Sequence, residues 1–187
     1  RVNDNYGHLI GDEVLLLLSR LMRANFRYHD HLYRFGGEEF VVLMRCTDAA
    51  AAALAFERLR SHVERHLFPQ VGHITVSIGF TELKQGDTPS GAFERADKAV
   101  YFAKGQGRNQ VRHHAELVAS GHLEDEAKVG DVELSRELLY GVGLHDAAPG
   151  AARYREVRLE AARQHGSEGI VLAVGRIEHQ RRRHALP

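Results

Sequence analysis

Phe35-Gly36-Gly37-Glu38-Glu39-Phe40 is the stretch on which the reading of this chain turns. Two glycines are followed by two carboxylates. Upstream lies His31-Leu32-Tyr33-Arg34-Phe35, and downstream Phe40-Val41-Val42-Leu43-Met44, both rich in strand-forming residues. Gly-Gly between two such runs reads as a hairpin turn, because glycine tolerates the positive φ that tight turns require. The hairpin is expected to set two acidic side chains just past its tip. Acids beside a bare backbone suit a place where a metal and a phosphate meet, and an ordinary solvated turn accounts for the same six residues.

Working outward, the second strand places Phe40, Val42 and Met44 on one face and Val41 and Leu43 on the other. Both faces are apolar, so it is expected to be a central strand covered on both sides. Before the hairpin, Asp12 reads as the N-cap of a helix over about 13–25, whose Leu15–Leu18 run is apolar most of the way round and is expected to be buried. After it, Thr47-Asp48 opens an alanine-rich helix to about His66. Phe56, Leu59, Val63 and Leu67 recur at helical spacing, and Pro69 follows as a stop. Ile74, Val76, Ile78 and Phe80 alternate with Thr75, Ser77 and Gly79, which predicts a strand. The small residues of its second face leave room for a helix or a ligand to come close. A polar loop over 83–90 precedes a helix over about 91–104, with Phe93, Ala96, Val100 and Ala103 as its buried stripe. Gly105 and Gly107 end that helix, and a short strand is expected near 110–112.

The pattern weakens after His114. One short helix is plausible in 115–140, and residues 150–187 are rich in Ala, Arg and His. Arg181-Arg182-Arg183 could touch an anionic surface but reads better as a solvated tail. The boundary falls near 115: a domain over 1–114, then an extension over 115–187 of undetermined structure, partly disordered in expectation. The order of helices and strands before it predicts an α+β class, with helices on a mostly antiparallel sheet.

Composition excludes some function classes. The 187 residues hold 25 Lys plus Arg and 25 Asp plus Glu, so nothing global argues for nucleic acid or an acidic partner. The 13 histidines make the charge sensitive to mild acid. Cys46 stands alone, which rules out an internal disulfide and fits a reducing, cytoplasmic compartment. No apolar run reaches the ~20 residues of a membrane helix. The opening Arg1-Val2-Asn3-Asp4 is no signal peptide and lacks Met, so the start of the gene product is expected elsewhere.

Four polar features carry chemistry: Asn3-Asp4 with Gly7-His8 and Gly11-Asp12; the Gly36-Gly37-Glu38-Glu39 hairpin; Arg27-Tyr28-His29-Asp30; and Lys104 with Arg108 at a helix end. The segments VNDNYGHLIGDEVL, RFGGEEFVVL, ITVSIGF and ADKAVYFAKGQGRNQV, in this order and spacing, resemble the GGDEF family of diguanylate cyclases in its GGEEF variant. The resemblance covers roughly residues 1–112.

The resemblance implies a palm-like nucleotidyl-cyclase fold and the condensation of two GTP into cyclic di-GMP with release of two pyrophosphates. It implies a homodimer with one GTP in each subunit, and Mg²⁺ or Mn²⁺ as cofactor. By position Asn3 and Asp12 match the residues that hydrogen-bond guanine, a role their amide and carboxylate can fill; as turn and cap residues they need no such role. Glu38 matches the metal-ligating carboxylate of the hairpin, and oxygen ligands suit Mg²⁺. Glu39 matches the neighbouring acid, assisting the metal or deprotonation of the attacking hydroxyl. Gly36 and Gly37 let the backbone approach the nucleotide. Lys104 and Arg108 match phosphate-binding cations, though basic residues at a helix C-terminus also complement its dipole. Arg27 and Asp30 match the inhibitory RxxD site for cyclic di-GMP, with a surface ion pair as the plain alternative.

The sequence also departs from the family. The family's first strand, with a metal-binding Asp and a phosphate-binding Lys, lies directly upstream of VNDNYGH, and this chain begins after it. The sheet is therefore expected to lack that strand and to expose strand edges, and the chain alone is expected to make little or no cyclic di-GMP. An upstream sensory or receiver domain is expected in the full-length protein, which could be membrane-anchored. The competing function is an inactive cyclic di-GMP or GTP binding module; the intact Glu38 and Glu39 argue against it. Histidine pairs His29/His31 and His113/His114 lack the spacing and further ligands of a zinc site and read as scattered surface residues.

Overall fold

Alternation and helical spacing resolve into a sheet with helices on both faces. The computed structural model describes residues 2–124, 140–143, 154–156 and 169–179, and only the backbone of residues 2–5, 140–143, 154–156 and 179. In chain order the elements are α1 (Val2–Asn25), β1 (His31–Gly36), β2 (Glu39–Met44), α2 (Ala49–Arg65), β3 (Ile74–Glu82), α3 (Pro89–Gly105), β4 (Val111–His113), α4 (His114–Ala119), β5 (Tyr140–Gly143), β6 (Tyr154–Glu156) and β7 (Val171–His179). Among the described residues the strands form one sheet in the order β4-β3-β7-β2-β1-β5-β6. Every neighbouring pair is antiparallel except β3 with β4. The α+β class and the mostly antiparallel sheet flanked by helices are as expected.

The two-residue period of the strands sorts the core into two layers. Phe40, Val42 and Met44 of β2 and Ile74, Val76, Ile78 and Phe80 of β3 meet Val14, Leu18 and Met22 of α1 and Phe56, Leu59 and Val63 of α2. Val41 and Leu43 face the other way, onto Ala92, Ala96 and Val100 of α3. β2 is thus covered on both faces. The small second face of β3 serves helix packing: a Cβ at Gly79 would overlap the Ala96 carbonyl oxygen and the Val100 nitrogen. Asp48 and Thr88 cap α2 and α3 through their side chains, and Pro89 takes the first turn of α3, where a missing N–H costs nothing.

Several expectations need correction. α1 extends to Val2, broken only by the non-helical Gly7 (φ 81°). Asp12 therefore lies inside the helix and is not its N-cap. The Leu15–Leu18 run is buried on one side only, with Leu18 at 3% exposure and Leu16 at 46%. Leu67 lies past the end of α2 and is exposed.

The largest correction concerns strand pairing. Val171–His179 forms β7, between β2 and β3, with Val42 opposite Ala173 and Ile78 opposite Gly175. The expected bare edges are absent, since β2 and β3 are each paired on both sides. The alternation of β7 matches its place: Val171, Ala173 and Ile177 join the layer under α1 and α2, and Leu172 and Val174 the layer under α3. Gly175 lies against Phe40, whose ring a Cβ there would overlap. Three described stretches beyond 115, Tyr140–Gly143, Tyr154–Glu156 and Val171–His179, are strands of the same sheet. The short helix expected within 115–140 appears only as α4 in the described part, and Arg181–Arg183 lie outside the described residues. No described helix is long and apolar enough to cross a membrane.

Candidate active site

The hairpin turns one residue later than the glycine pair suggests. Gly36 ends β1 opposite Glu39, and Gly37 and Glu38 form the turn. Glu38 is thus at the tip and Glu39 opens β2. Gly37 has φ 47°, in the left-handed region where a side chain costs energy. The Arg34 guanidinium holds the turn by donating to the Gly37 carbonyl from Nη2 (3.2 Å) and Nε (3.3 Å). A Cβ at Gly36 or Gly37 would meet nothing, so the space beside the turn is open. The Glu38 carbonyl accepts from Ile177 N–H at 3.0 Å, which fastens the tip to β7.

Glu39 shares its face with Val41 and Leu43, so its side chain points towards α3. There it meets Arg176 of β7, directly opposite in register, with Nε 2.8 Å from Oε1. Arg176 Nη2 also donates to Asp97 Oδ1 of α3 at 2.8 Å. Two residues along β7, Glu178 Oε2 accepts from Ser77 Oγ at 2.9 Å, and Glu178 Oε1 lies 3.5 Å from Arg108 Nε. One face of the sheet thus carries acid, guanidinium, acid and guanidinium in succession.

Arg108 is placed by its loop. Gly107, Arg108 and Asn109 have φ of 105°, 66° and 49°, three successive left-handed residues of which two are not glycine. Such a backbone persists only when its surroundings over-determine it. Asn109 supplies the ties: its N–H donates to Ser77 Oγ (3.1 Å), its Nδ2 to Glu64 Oε1 (2.8 Å), and its Oδ1 accepts from Arg60 Nη1 (2.9 Å). The Arg60 hydrogen bond, against the pull of burial and with help from Asn109, holds the Glu64 carboxyl below its ordinary range.

The other expected site residues are dispersed. Lys104 is half-buried in the last turn of α3, one helical face along from Asp97. Asp12 is exposed on α1, in the layer across the sheet from α3, and Asn3 lies at the start of that helix. Arg27 is exposed after α1, whereas Asp30 is 1% exposed. Asp30 Oδ2 accepts from Arg27 N–H at 2.8 Å and Oδ1 is buried without a hydrogen bond. The pair is not a surface ion pair: its carboxylate closes the turn on the backbone of Arg27. His113 and His114 are buried, not surface residues, and His113 stacks on Phe80 with ring centroids 4.6 Å apart.

A divalent cation does not fit this arrangement. Mg²⁺ needs several oxygen donors around one point. Among the described residues no three His, Cys, Asp or Glu side chains converge. Glu39 and Asp97 both contact Arg176. The cation at this place is a guanidinium.

Asp97, Ser77, Arg176 and Glu178 were not singled out in the sequence, nor was Arg34 as the clasp of the turn. Asp97 and Lys104 are seven residues apart, two helical turns, so their common face was legible. Val171-Leu172-Ala173-Val174-Gly175-Arg176-Ile177 has a strand's residues and period, and a charge on one face of it was the available signal.

Comparison with known proteins shows which family residues 1–110 resemble. The family model described as "Diguanylate cyclase, GGDEF domain" matches residues 1–110. The chain is 41% identical over 114 residues to the diguanylate cyclase DgcP of Pseudomonas aeruginosa, covering 59% of this chain and 17% of that protein. It is 43% identical over 117 residues to the response regulator PleD of Caulobacter vibrioides, covering 59% of this chain and 26% of that protein. It thus spans about a quarter or less of these relatives. Among solved structures, the active GGEEF domain of a diguanylate cyclase from Vibrio cholerae is 35% identical with a TM-score of 0.56, covering 60% of this chain and 74% of that one. The GGDEF domain of DgcB from Caulobacter crescentus, solved with c-di-GMP, is 33% identical with a TM-score of 0.57, covering 60% and 70%. With more than half of its length matched by the family model, the chain belongs to the diguanylate cyclase GGDEF domain family.

Proposed function

We propose that this domain carries out the diguanylate cyclase reaction, joining two GTP into cyclic di-GMP and releasing two pyrophosphates. One observation carries the reading. The hairpin acid Glu39 and the loop cation Arg108 are tied to residues two apart on one strand, Arg176 and Glu178. At about 3.4 Å per residue, those two partners are roughly 7 Å apart along β7, so the acid and the cation are held at one face of the sheet by a single strand.

Each subunit of a homodimer binds one GTP. The guanine edge is read by Asp12 and Asn3 of α1. The open turn at Gly36 and Gly37 lets the backbone approach the phosphates, and Lys104 and Arg108 offset their charge. The 3′-oxygen of one GTP attacks the α-phosphorus of the other. An O–P bond forms, the bond to the bridging oxygen breaks, and pyrophosphate leaves. Glu39 accepts the hydroxyl proton, with Glu38 at the tip beside it. Repeating the step in the opposite sense closes the ring. Mg²⁺ or Mn²⁺ is the cofactor that the motif implies.

Product feedback falls to Arg27, whose exposed guanidinium can clasp a guanine edge or phosphate of cyclic di-GMP. Asp30 holds the turn that presents it. An upstream regulatory domain and a cytoplasmic setting complete the proposal. The test is incubation with GTP and Mg²⁺, with cyclic di-GMP and pyrophosphate quantified by mass spectrometry. A small amount of product, with two pyrophosphates per cyclic di-GMP, is expected from the chain, and loss of that product in Glu39→Gln. Product formation that survives Glu39→Gln would refute the assignment.

A further inference from the structure

Strand β7 brings its own charges to the proposed site. Arg176 lies between Glu39 (2.8 Å) and Asp97 (2.8 Å), and its side chain is only 27% exposed, against 34% and 37% for the two acids. Half-buried ion pairs of this kind are less screened than surface pairs, and one guanidinium shared by two acids offsets one of their charges and lowers the repulsion between them. Glu178, on the same face, is 11% exposed, fixed by Ser77, and paired with Arg108. β7 therefore engages one acid and one cation that the proposed chemistry needs. It also carries an arginine at the register position opposite Glu39.

We propose that β7 is a built-in inhibitory strand. Arg176 acts as a fixed cation that keeps a divalent ion off Glu39 and Asp97, and Glu178 keeps Arg108 off phosphate. The inference rests on the reading of Glu39 and Arg108 as substrate-facing. The strand itself stays in the sheet, because Val171, Ala173 and Ile177 are core residues. Control lies in the two side chains.

The experiment measures Mn²⁺ binding to the 187-residue chain, with Mn²⁺ alone as probe and free Mn²⁺ read by electron paramagnetic resonance. Arg176→Met is expected to bind Mn²⁺ on the order of tenfold more tightly than the parent, as release of two partly buried ion pairs allows. Arg176→Lys, which keeps the charge, stays with the parent. R176D adds a third carboxylate to Glu39 and Asp97. It is expected to be less stable without metal, and Mn²⁺ is expected to raise its melting temperature, a readout that works even for a poorly folded variant. Parent-like Mn²⁺ affinity in Arg176→Met together with no Mn²⁺-dependent melting shift in R176D overturns the inference. The outcome also separates this inference from the proposed reaction. Tighter Mn²⁺ binding with no cyclic di-GMP from any variant upholds the strand's role and sinks the reaction. Equal synthesis by parent and Arg176→Met, with equal Mn²⁺ binding, does the reverse.

Discussion

Gly37 and Gly36 sit side by side and do different things. Gly37 has φ 47°, so a side chain there is strained whatever the space around it. Gly36 has an ordinary φ and open space, so its lack of a side chain serves whatever approaches the turn. Gly37→Ala is therefore expected to cost about 1 kcal/mol of stability, seen as a lower denaturant midpoint. Gly36→Ala is expected to leave the midpoint within about 0.5 kcal/mol while weakening GTP binding by calorimetry. Equal stability losses would remove the distinction. At this scale the sequence showed the acids and glycines of the hairpin plainly. It did not show Asp30 facing inward, because a carboxylate that accepts from the N–H three residues back looks the same in sequence as one offered to a ligand.

At the scale of elements, α3 is set by two devices, its close approach to β3 and its anchored entry loop. Arg95 of α3 grips Asp87 of that loop, with Nη1 2.9 Å from Oδ1, and Lys84 N–H donates to Oδ2. Burial pulls the Asp87 carboxyl upward, but the Arg95 hydrogen bond and the Lys84 N–H bring it below its ordinary 3.8. A depressed acid contributes its stabilisation above the unfolded value, and the contribution is lost as pH falls through the folded one. Acid unfolding is thus expected to steepen below about pH 4, and Asp87→Asn should flatten that limb when midpoints are compared at pH 6 and below pH 4. An unchanged limb would show that the pair adds nothing. Period-two and helical spacing made α2, α3, β2 and β3 legible, because each buries a continuous face of its own. The start of α1 was not, since Asp12 beside Gly11 imitates a cap while the helix had already begun.

At the scale of the whole molecule, the decisive fact is the strand from the far end of the chain at the centre of the sheet. Nothing local could reveal it. The period of Val171–Ile177 announces a strand, but its neighbours are set by packing with residues about ninety or more positions away. The family's segments cover the hairpin, β3 and parts of α1 and α3, and say nothing of β7. Gly175 gives a direct check on this placement. A methyl group there would overlap the Phe40 ring, so Gly175→Ala is expected to destabilise the whole domain by about 2 kcal/mol, the range for overpacking a core. Amide exchange would report the loss across β2 and β3 together. A neutral Gly175→Ala would mean that residues 171–179 are not between those strands.

The fold, the charged face and the inhibitory strand converge on one claim: the hairpin acid Glu39 serves the joining of two GTP, and Arg176 restrains it. The measurement is cyclic di-GMP formed from GTP and Mg²⁺ by the parent chain, Arg176→Met, and Arg176→Met with Glu39→Gln. The account predicts little product from the parent, more from Arg176→Met, and none once Glu39 is removed. No product from Arg176→Met, or undiminished product without the Glu39 carboxylate, would contradict it.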